Sequence, residues 1–367
     1  MRRTAVKLSD GRELIYFDEE GAARRSAHDR RGLAPGETRQ GTMRHDPLTN
    51  QWVTVAGHRQ SRIHLPVAAL CPLCPSSEEH LSEIPESEYQ VAVFENRFPS
   101  FLVAEAGADL GGEPHWNAEV PAHGRCEVVA YTADHDGSVA SLDPGRMRLV
   151  MSAWIDRVRE LSTLPGIRYV FVFENRGAEV GVTLHHPHGQ IYAYPFVPDA
   201  VVENLRTAKS YRARSGGSLL DAVVDRECED GRRVIVVNEY WVAFVPFAAR
   251  WPYEVQIHPI AHRISLDELT DSEQASFAEL FPRLVRALDS LFDSPFPYMA
   301  GWTQAPTQGS TEELADSRLF LRLISNRRAA DKLKYLASSE SLMGAYVNDI
   351  SPETAAEQIR RAWGETT

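Results

Sequence analysis

Three histidines fall within four residues at His185-His186-Pro187-His188-Gly189-Gln190. An imidazole can bind a metal, carry a proton or attack phosphorus. Both flanks read as strand: Tyr169-Val170-Phe171-Val172-Phe173 before, Ile191-Tyr192-Ala193-Tyr194 after. An extended chain repeats every two residues, so His186, His188 and Gln190 are expected on one face. A chemically silent surface cluster is the competing reading. That reading must also explain a preceding Phe173-Glu174-Asn175-Arg176-Gly177 turn and a Cys-x-x-Cys pair upstream.

That pair is Cys71-Pro72-Leu73-Cys74. Two thiolates at this spacing can share one tetrahedral ion, although a pair of ordinary thiols has the same sequence. No second Cys-x-x-Cys occurs, so histidines would have to complete a metal site. Cys126 and Cys228 show no pairing pattern, and four cysteines in 367 residues make no disulfide framework. This usage fits a reducing cytoplasm.

The elements that must position these groups are readable in part. Glu13 to Phe17 reads as a strand, and Arg24-Arg25-Ser26-Ala27-His28-Asp29-Arg30-Arg31 as a solvated, partly disordered loop. Residues 1–43 are therefore expected to form a peripheral arm. Arg44-His45-Asp46-Pro47-Leu48-Thr49-Asn50-Gln51-Trp52 is a turn entering a strand, Trp52 to Val55. Arg59 and Arg62 follow, two cations three residues apart. Tyr89 to Phe94 reads as a strand running into a turn at Asn96. Asp143-Pro144 is a helix start, and Met147, Val150, Met151, Trp154, Val158 and Leu161 mark the apolar face. Glu127 leads eight positions on to His135 and then to Ser141-Leu142-Asp143. Glu254 leads likewise to His262, to Ser265-Leu266-Asp267 and to a second helix, Thr270 to Phe292. The same order twice points to two copies of one α+β unit, with a boundary near Pro198. Arg233 to Val237 and Trp241 to Val245 are strands of the second copy, and Arg318 to Ser325 reads as an edge strand.

Phe173 to Gln190, with Glu174-Asn175 before His186-Pro187-His188-Gly189-Gln190, resembles the active-site signature of the galactose-1-phosphate uridylyltransferase family, nucleotidyltransferases of the histidine-triad superfamily. The resemblance runs from Arg44 to about Arg361. It implies an α+β fold: a tandem pair of histidine-triad-like units, residues 44–198 and 199–367, with mostly antiparallel sheet and flanking helices. It implies exchange of UMP between UDP-glucose and galactose 1-phosphate by a ping-pong route, with His188 as nucleophile and Gln190 as a donor to phosphate. Arg59 and Arg62 are then phosphate ligands acting across a subunit interface. Asn96, Asn175 and Thr183 bind substrate, Thr183 standing where the family usually has serine, and Lys334 and Glu340 lie near the hexose phosphate. A turn asparagine at 96 and an exposed helix end at 334–340 compete with the last of these roles. The resemblance also completes a structural zinc site, Cys71, Cys74, His135 and His186, one per subunit. Many family members carry a second metal. His262 matches one of its ligands, Glu203 sits near another, and the strand Arg318-Leu319-Phe320-Leu321-Arg322-Leu323 holds no histidine. A second metal is therefore expected to be absent, leaving His262 as a hydrogen-bonded structural residue.

Composition bounds the alternatives. A net charge of −12 would be repelled by a nucleic-acid backbone. There is no apolar run of membrane-spanning length and no apolar segment of signal-peptide type at the start. A cytoplasmic homodimer acting on small molecules is the expectation. Transfer of adenylyl groups, as in ADP-sugar or dinucleotide phosphorylases, and a non-catalytic nucleotide-binding regulator remain as alternatives.

Overall fold

The computed structural model of the chain describes residues 1–35, 40–61, 66–103, 116–292 and 294–366. Its strands are β1 (Arg2–Lys7), β2 (Glu13–Asp18), β3 (Thr42–Asp46), β4 (Gln51–Val55), β5 (Val91–Glu95), β6 (Glu119–Pro121), β7 (Arg125–Ala130), β8 (Tyr169–Arg176) and β9 (His188–Tyr194). The later strands are β10 (Val234–Val237), β11 (Trp241–Phe244), β12 (Val255–Pro259), β13 (Tyr298–Thr303), β14 (Phe320–Ile324), β15 (Arg327–Ala329) and β16 (Lys332–Leu333). The helices are α1 (Pro144–Ser162), α2 (Asp199–Ser215), α3 (Leu219–Asp230), α4 (Asp271–Ser290), α5 (Thr311–Leu314), α6 (Ser338–Met343) and α7 (Pro352–Glu365).

Among the described residues, eleven strands make one sheet in the order β1-β2-β5-β7-β9-β8-β13-β14-β12-β11-β10. β3, β4 and β6 make a small second sheet. The two halves repeat. In the first, β9 lies between β7 and β8; in the second, β14 lies between β12 and β13. A helix, α1 or α4, separates the inner strand pairs in sequence. The halves join where β8 pairs antiparallel with β13, Tyr298 opposite Arg176.

α1 starts where proline's fixed φ suits a first turn, with the Asp143 side chain accepting from the Arg146 N–H at 2.9 Å. Its six apolar-face residues named above are all buried. α4 starts with a reciprocal cap, the Thr270 hydroxyl and Glu273 carboxylate each serving the other's backbone N–H. α1 and α4 bury one face of the sheet in a single core spanning both halves. Trp154 meets Trp302 at 6.4 Å between ring centroids, and Trp302 meets Trp241 at 6.2 Å. Burying side chains of this size contributes about 2–3 kcal/mol each. The opposite face of the sheet is left for the site.

Four expectations are corrected. The segment around Arg24 to Arg31 is only in part a solvated loop: Arg24, Ser26, His28 and Arg30 are exposed, but the charges between them are not. Arg25 is buried with its guanidinium on Asp18, at 2.5 and 3.1 Å, and Asp29 and Arg31 pair at 2.8 Å with side-chain exposures of 2% and 10%. Composition counts charges but not their partners, and here Arg25, Asp29 and Arg31 are matched. The strand at Arg318 to Ser325 is interior, since β14 pairs with both β12 and β13. The expected turn Phe173 to Arg176 is strand, because β13 extends the pairing of β8; the turn begins at Gly177, φ 99°. Finally, the repeat is offset by one residue from the sequence match. Glu127 reaches Arg157 of α1 at 2.8 and 2.9 Å. Glu254 instead bonds Arg322 at 2.7 Å on the other face. A one-residue shift exchanges the faces of a strand. Glu127 and Glu254 are therefore not equivalent positions of the two halves.

Candidate active site and metal centre

β9 alternates half-buried and buried residues along its length. His188, Gln190 and Tyr192 share the face turned away from α1, while Gly189 and Ile191 face the core. Pairing places Ala130 opposite His188 and Val128 opposite Gln190 on one side, and Phe173 opposite Gln190 on the other. The metal-ligating loop at Cys71 and Cys74 packs with Val128 and Ala130, the residues opposite Gln190 and His188, so His186 meets it on the side of the sheet that His188 takes. His186 precedes the strand, across Pro187, and is buried among metal-ligating groups.

Those groups are Cys71, Cys74, His135 and His186, whose ligand atoms all lie within 4.8 Å of one another. Cys74 Sγ is 3.4 Å from His135 Nδ1 and 3.6 Å from His186 Nδ1. A tetrahedron with the usual zinc–sulfur and zinc–nitrogen bond lengths has S···N edges of about 3.6 Å. The geometry thus fits a four-coordinate ion with no open position. His186 turns its other nitrogen, Nε2, to the Thr132 carbonyl at 2.7 Å and the Tyr89 hydroxyl at 2.9 Å. Such an outer hydrogen bond orients a ligating imidazole. Burial pushes His186 down to about 4, which keeps it in the neutral, lone-pair form. Burial, reinforced by neighbouring Cys71, pushes the Cys74 thiol up to about 12. Two adjacent thiols resist ionisation unless a cation offsets both charges.

His188 Nδ1 lies 2.7 Å from the His186 carbonyl oxygen. That contact requires an N–H at Nδ1 and leaves Nε2 as the lone-pair nitrogen. Desolvation lowers the His188 pKa, opposed by the hydrogen bond to His186, so the ring is neutral at pH 7. Tyr192 donates its hydroxyl to Gln190 Oε1 at 3.2 Å, which fixes the amide's NH2 as its remaining donor.

His188 and Gln190 line a cleft of about 740 Å³, its open mouth included. Arg59, Asn96 and Thr183 line the same cleft. Its apolar wall is Leu73, Phe94, Phe98, Val128 and Leu184, suited to a flat base. Arg59 donates to the Ser100 hydroxyl and, at 3.2 Å, to that of Tyr192. It therefore faces the cleft of its own chain, where the resemblance implied a role across a subunit interface. A neutral nucleophilic nitrogen, an amide donor and a guanidinium around one apolar slot can together attack and hold a nucleotide phosphate.

Residues 34–198 match the family described as galactose-1-phosphate uridyl transferase, N-terminal domain, and residues 204–365 match its C-terminal domain. The chain belongs to the galactose-1-phosphate uridylyltransferase family. It is similar to the galactose-1-phosphate uridylyltransferase of Streptomyces lividans, 40% identical with 98% of each chain covered. The enzyme of the same name from Thermotoga maritima is 36% identical, over 87% of this chain and 97% of the other. A solved structure described as that of uridylyltransferase superposes with a TM-score of 0.78 at 32% identity, over 89% of this chain and 99% of the other.

Other expected uridylyltransferase residues are placed less directly. Asn175 follows Phe173 on the same face of β8, beyond the last pair with β9, and is half-buried. Arg62 lies outside the described residues. Lys334 and Glu340 form a pair at 2.9 Å with 6% exposure each, which removes the exposed-end reading. His262 Nδ1 lies 3.1 Å from both carboxylate oxygens of Asp221. Glu203 is exposed and paired with Arg206 at 2.6 Å. In the second half Leu321 and Leu323 face the core. Phe320 and Arg322 take the other face of β14, as His188 and Gln190 do in β9. Phe320 stacks on buried His258 at 4.8 Å. That face of β14 thus carries no imidazole.

Sequence reasoning missed Glu83, Arg97, Phe98 and Tyr89. The alternation Phe94, Asn96, Phe98 was the available signal for the slot. Nothing local marks Tyr89, whose hydroxyl finds His186 only through the fold.

Gly189 is a tight point in β9. A Cβ there would stand 2.0 Å from the Tyr131 hydroxyl and 2.9 Å from the Phe173 carbonyl. Tyr131 is fully buried and cannot swing away. Gly189→Ala is therefore expected to cost about 1–3 kcal/mol, as overpacking does. It should also lower kcat by displacing His188 and Gln190 on either side. Thermal unfolding and steady-state rates check both; a variant with unchanged melting would contradict the contact.

Proposed function

We propose that this chain transfers a uridylyl group between UDP-glucose and galactose 1-phosphate. The observation that carries the reading is His188, with Nδ1 tied to the His186 carbonyl and the opposite nitrogen turned to the cleft beside Gln190. Nε2 attacks the α-phosphorus of UDP-glucose, a P–N bond forms, and the P–O bond to glucose 1-phosphate breaks. That leaving group departs as a phosphate needing no proton. A phosphate oxygen of galactose 1-phosphate then attacks the same phosphorus, the P–N bond breaks, and UDP-galactose leaves. Gln190 donates to a non-bridging oxygen and does not compete for the phosphorus, because its amide nitrogen lone pair is delocalised into the carbonyl. Thr183, Asn175, Arg59 and Arg62 serve the developing charge and the nucleotide phosphates. Asn96 serves the nucleoside, and Lys334 and Glu340 the hexose phosphate. Zinc held by Cys71, Cys74, His135 and His186 is structural, one per subunit, and steadies the loop that carries the His186 carbonyl. A homodimer in the cytoplasm, with residues 1–43 as an arm on halves 44–198 and 199–367, completes the proposal. No helix among the described residues is long and apolar enough to cross a membrane.

Turnover of UDP-glucose with galactose 1-phosphate tests this, with ADP-glucose as the competing donor. The reading expects UDP-glucose to exceed ADP-glucose in kcat/KM by at least about 100-fold, since a slot with paired polar groups discriminates bases strongly. Equal use of ADP-glucose would favour the adenylyl-transferring alternative. No turnover of either would favour a binding protein.

A further inference from the structure

The first 33 residues precede the stretch that matches the family, yet they reach the cleft. β2 pairs with β5, placing Leu14 opposite Phe94 of the apolar wall. Two arm guanidiniums converge on Glu83, the one carboxylate among the residues that line the cleft. Arg12 Nη2 is 2.5 Å from Glu83 Oε2, and Arg31 Nη1 is 2.9 Å from Oε1. All three side chains are mostly buried, at 13%, 10% and 8% exposure. Arg12 is held in turn by Asp10 at 2.7 Å and by the Glu95 carbonyl at 2.7 Å. Arg31 is held by Asp29 at 2.8 Å, and Asp29 also accepts from the Ser9 N–H and hydroxyl.

Arg97, a further residue lining the cleft, is the loose member of this group. It approaches the same oxygen, Oε1, only to 3.9 Å and keeps 46% of its side chain exposed. Arg31 and Arg97 thus compete for one carboxylate oxygen, and Arg31 holds it. A guanidinium in tight contact with a carboxylate exerts little pull on an incoming anion, whereas a loosely held one still attracts it.

We propose that the N-terminal arm is a positioning element of the donor pocket: Arg31, with Arg12, holds Glu83 off Arg97 and so leaves Arg97 as a cation for the phosphates of a nucleotide. The identity of that ligand rests on the function proposed above. The arm makes no contact with the reacting phosphorus and sets only the charge available at the cleft.

UDP binding to the full-length protein, measured by titration calorimetry, tests this. Arg31→Ala is expected to raise the Kd about tenfold, as loss of a well-placed cation does. Adding Glu83→Gln should restore it, because the freed carboxylate would no longer capture Arg97. In an Arg97→Ala background, Arg31→Ala should change nothing further. Arg31→Lys keeps a cation at Oε1 and should keep near-native affinity, which separates charge from folding; thermal melts of each variant accompany the titrations. Unchanged affinity in Arg31→Ala, or no recovery with Glu83→Gln, overturns the proposal while leaving the transferase reading intact. A wild-type chain that binds no UDP and turns over no UDP-glucose overturns both.

Discussion

Incubated with UDP-glucose labelled in its α-phosphate, and with no acceptor sugar, the wild-type protein is expected to retain acid-labile radioactivity on the chain. His188→Ala should retain none and lose kcat by on the order of 10⁴-fold or more, the scale seen when a covalent nucleophile is removed. The expectation follows from where the ring's two nitrogens are committed. Nδ1 is 2.7 Å from the His186 carbonyl, which fixes the tautomer and orients the ring before substrate arrives. Desolvation keeps the ring unprotonated at neutral pH. A neutral imidazole already aimed at the cleft avoids both a deprotonation and a rotamer search. Label that appears only when both sugar phosphates are supplied would mean direct transfer between them, and His188 would then have another part. Label surviving in His188→Ala would place the nucleophile elsewhere.

Stripping the metal, or replacing Cys74 by alanine, should lower the melting temperature by on the order of 10 °C, because binding energy at a structural site is folding energy. The ligands come from three separate segments: the loop at Cys71 and Cys74, the turn after β7 that carries His135, and the approach to β9 that carries His186. An ion bound there would tie the three together. His186 supplies a ring nitrogen to the cluster and, through its carbonyl, the acceptor for His188. Loss of the ion therefore loosens the group that holds the nucleophile, and kcat should fall about 10- to 100-fold even in the folded fraction, as loss of outer-sphere support does. Elemental analysis beside calorimetry checks this: one equivalent of zinc in wild type and a Cys74→Ala chain with little or none. A stripped protein with native melting and native rate would leave the cluster without a structural task.

Much of this site is local in character, which is why it was legible before any fold. His188 and Gln190 lie two apart, and strand geometry puts them on one face whatever packs around them. Cys71 and Cys74 carry their spacing with them, and Asp143-Pro144 starts a helix by chemistry confined to one turn. The family signature added His135 and His186, and the fold brings their ligand atoms to the thiols. The readings that failed depended on a distant partner. Arg318 to Ser325 reads as an edge because nothing in it announces that β12 and β13 flank it. Arg24 to Arg31 reads as solvated chain because Asp18, the buried partner of Arg25, belongs to β2.

The sequence by itself marked His188 and Gln190 as the proposed nucleophile and its neutral companion, and gave the helix starts and the twofold order of the halves, since each rests on neighbours within a few residues. Only the tertiary structure decided which nitrogen of His188 is free, which face Glu254 takes, and how far the arm's arginines reach. Those outcomes depend on hydrogen bonds and ion pairs between segments remote in sequence, whose geometry exists only once the sheet has assembled.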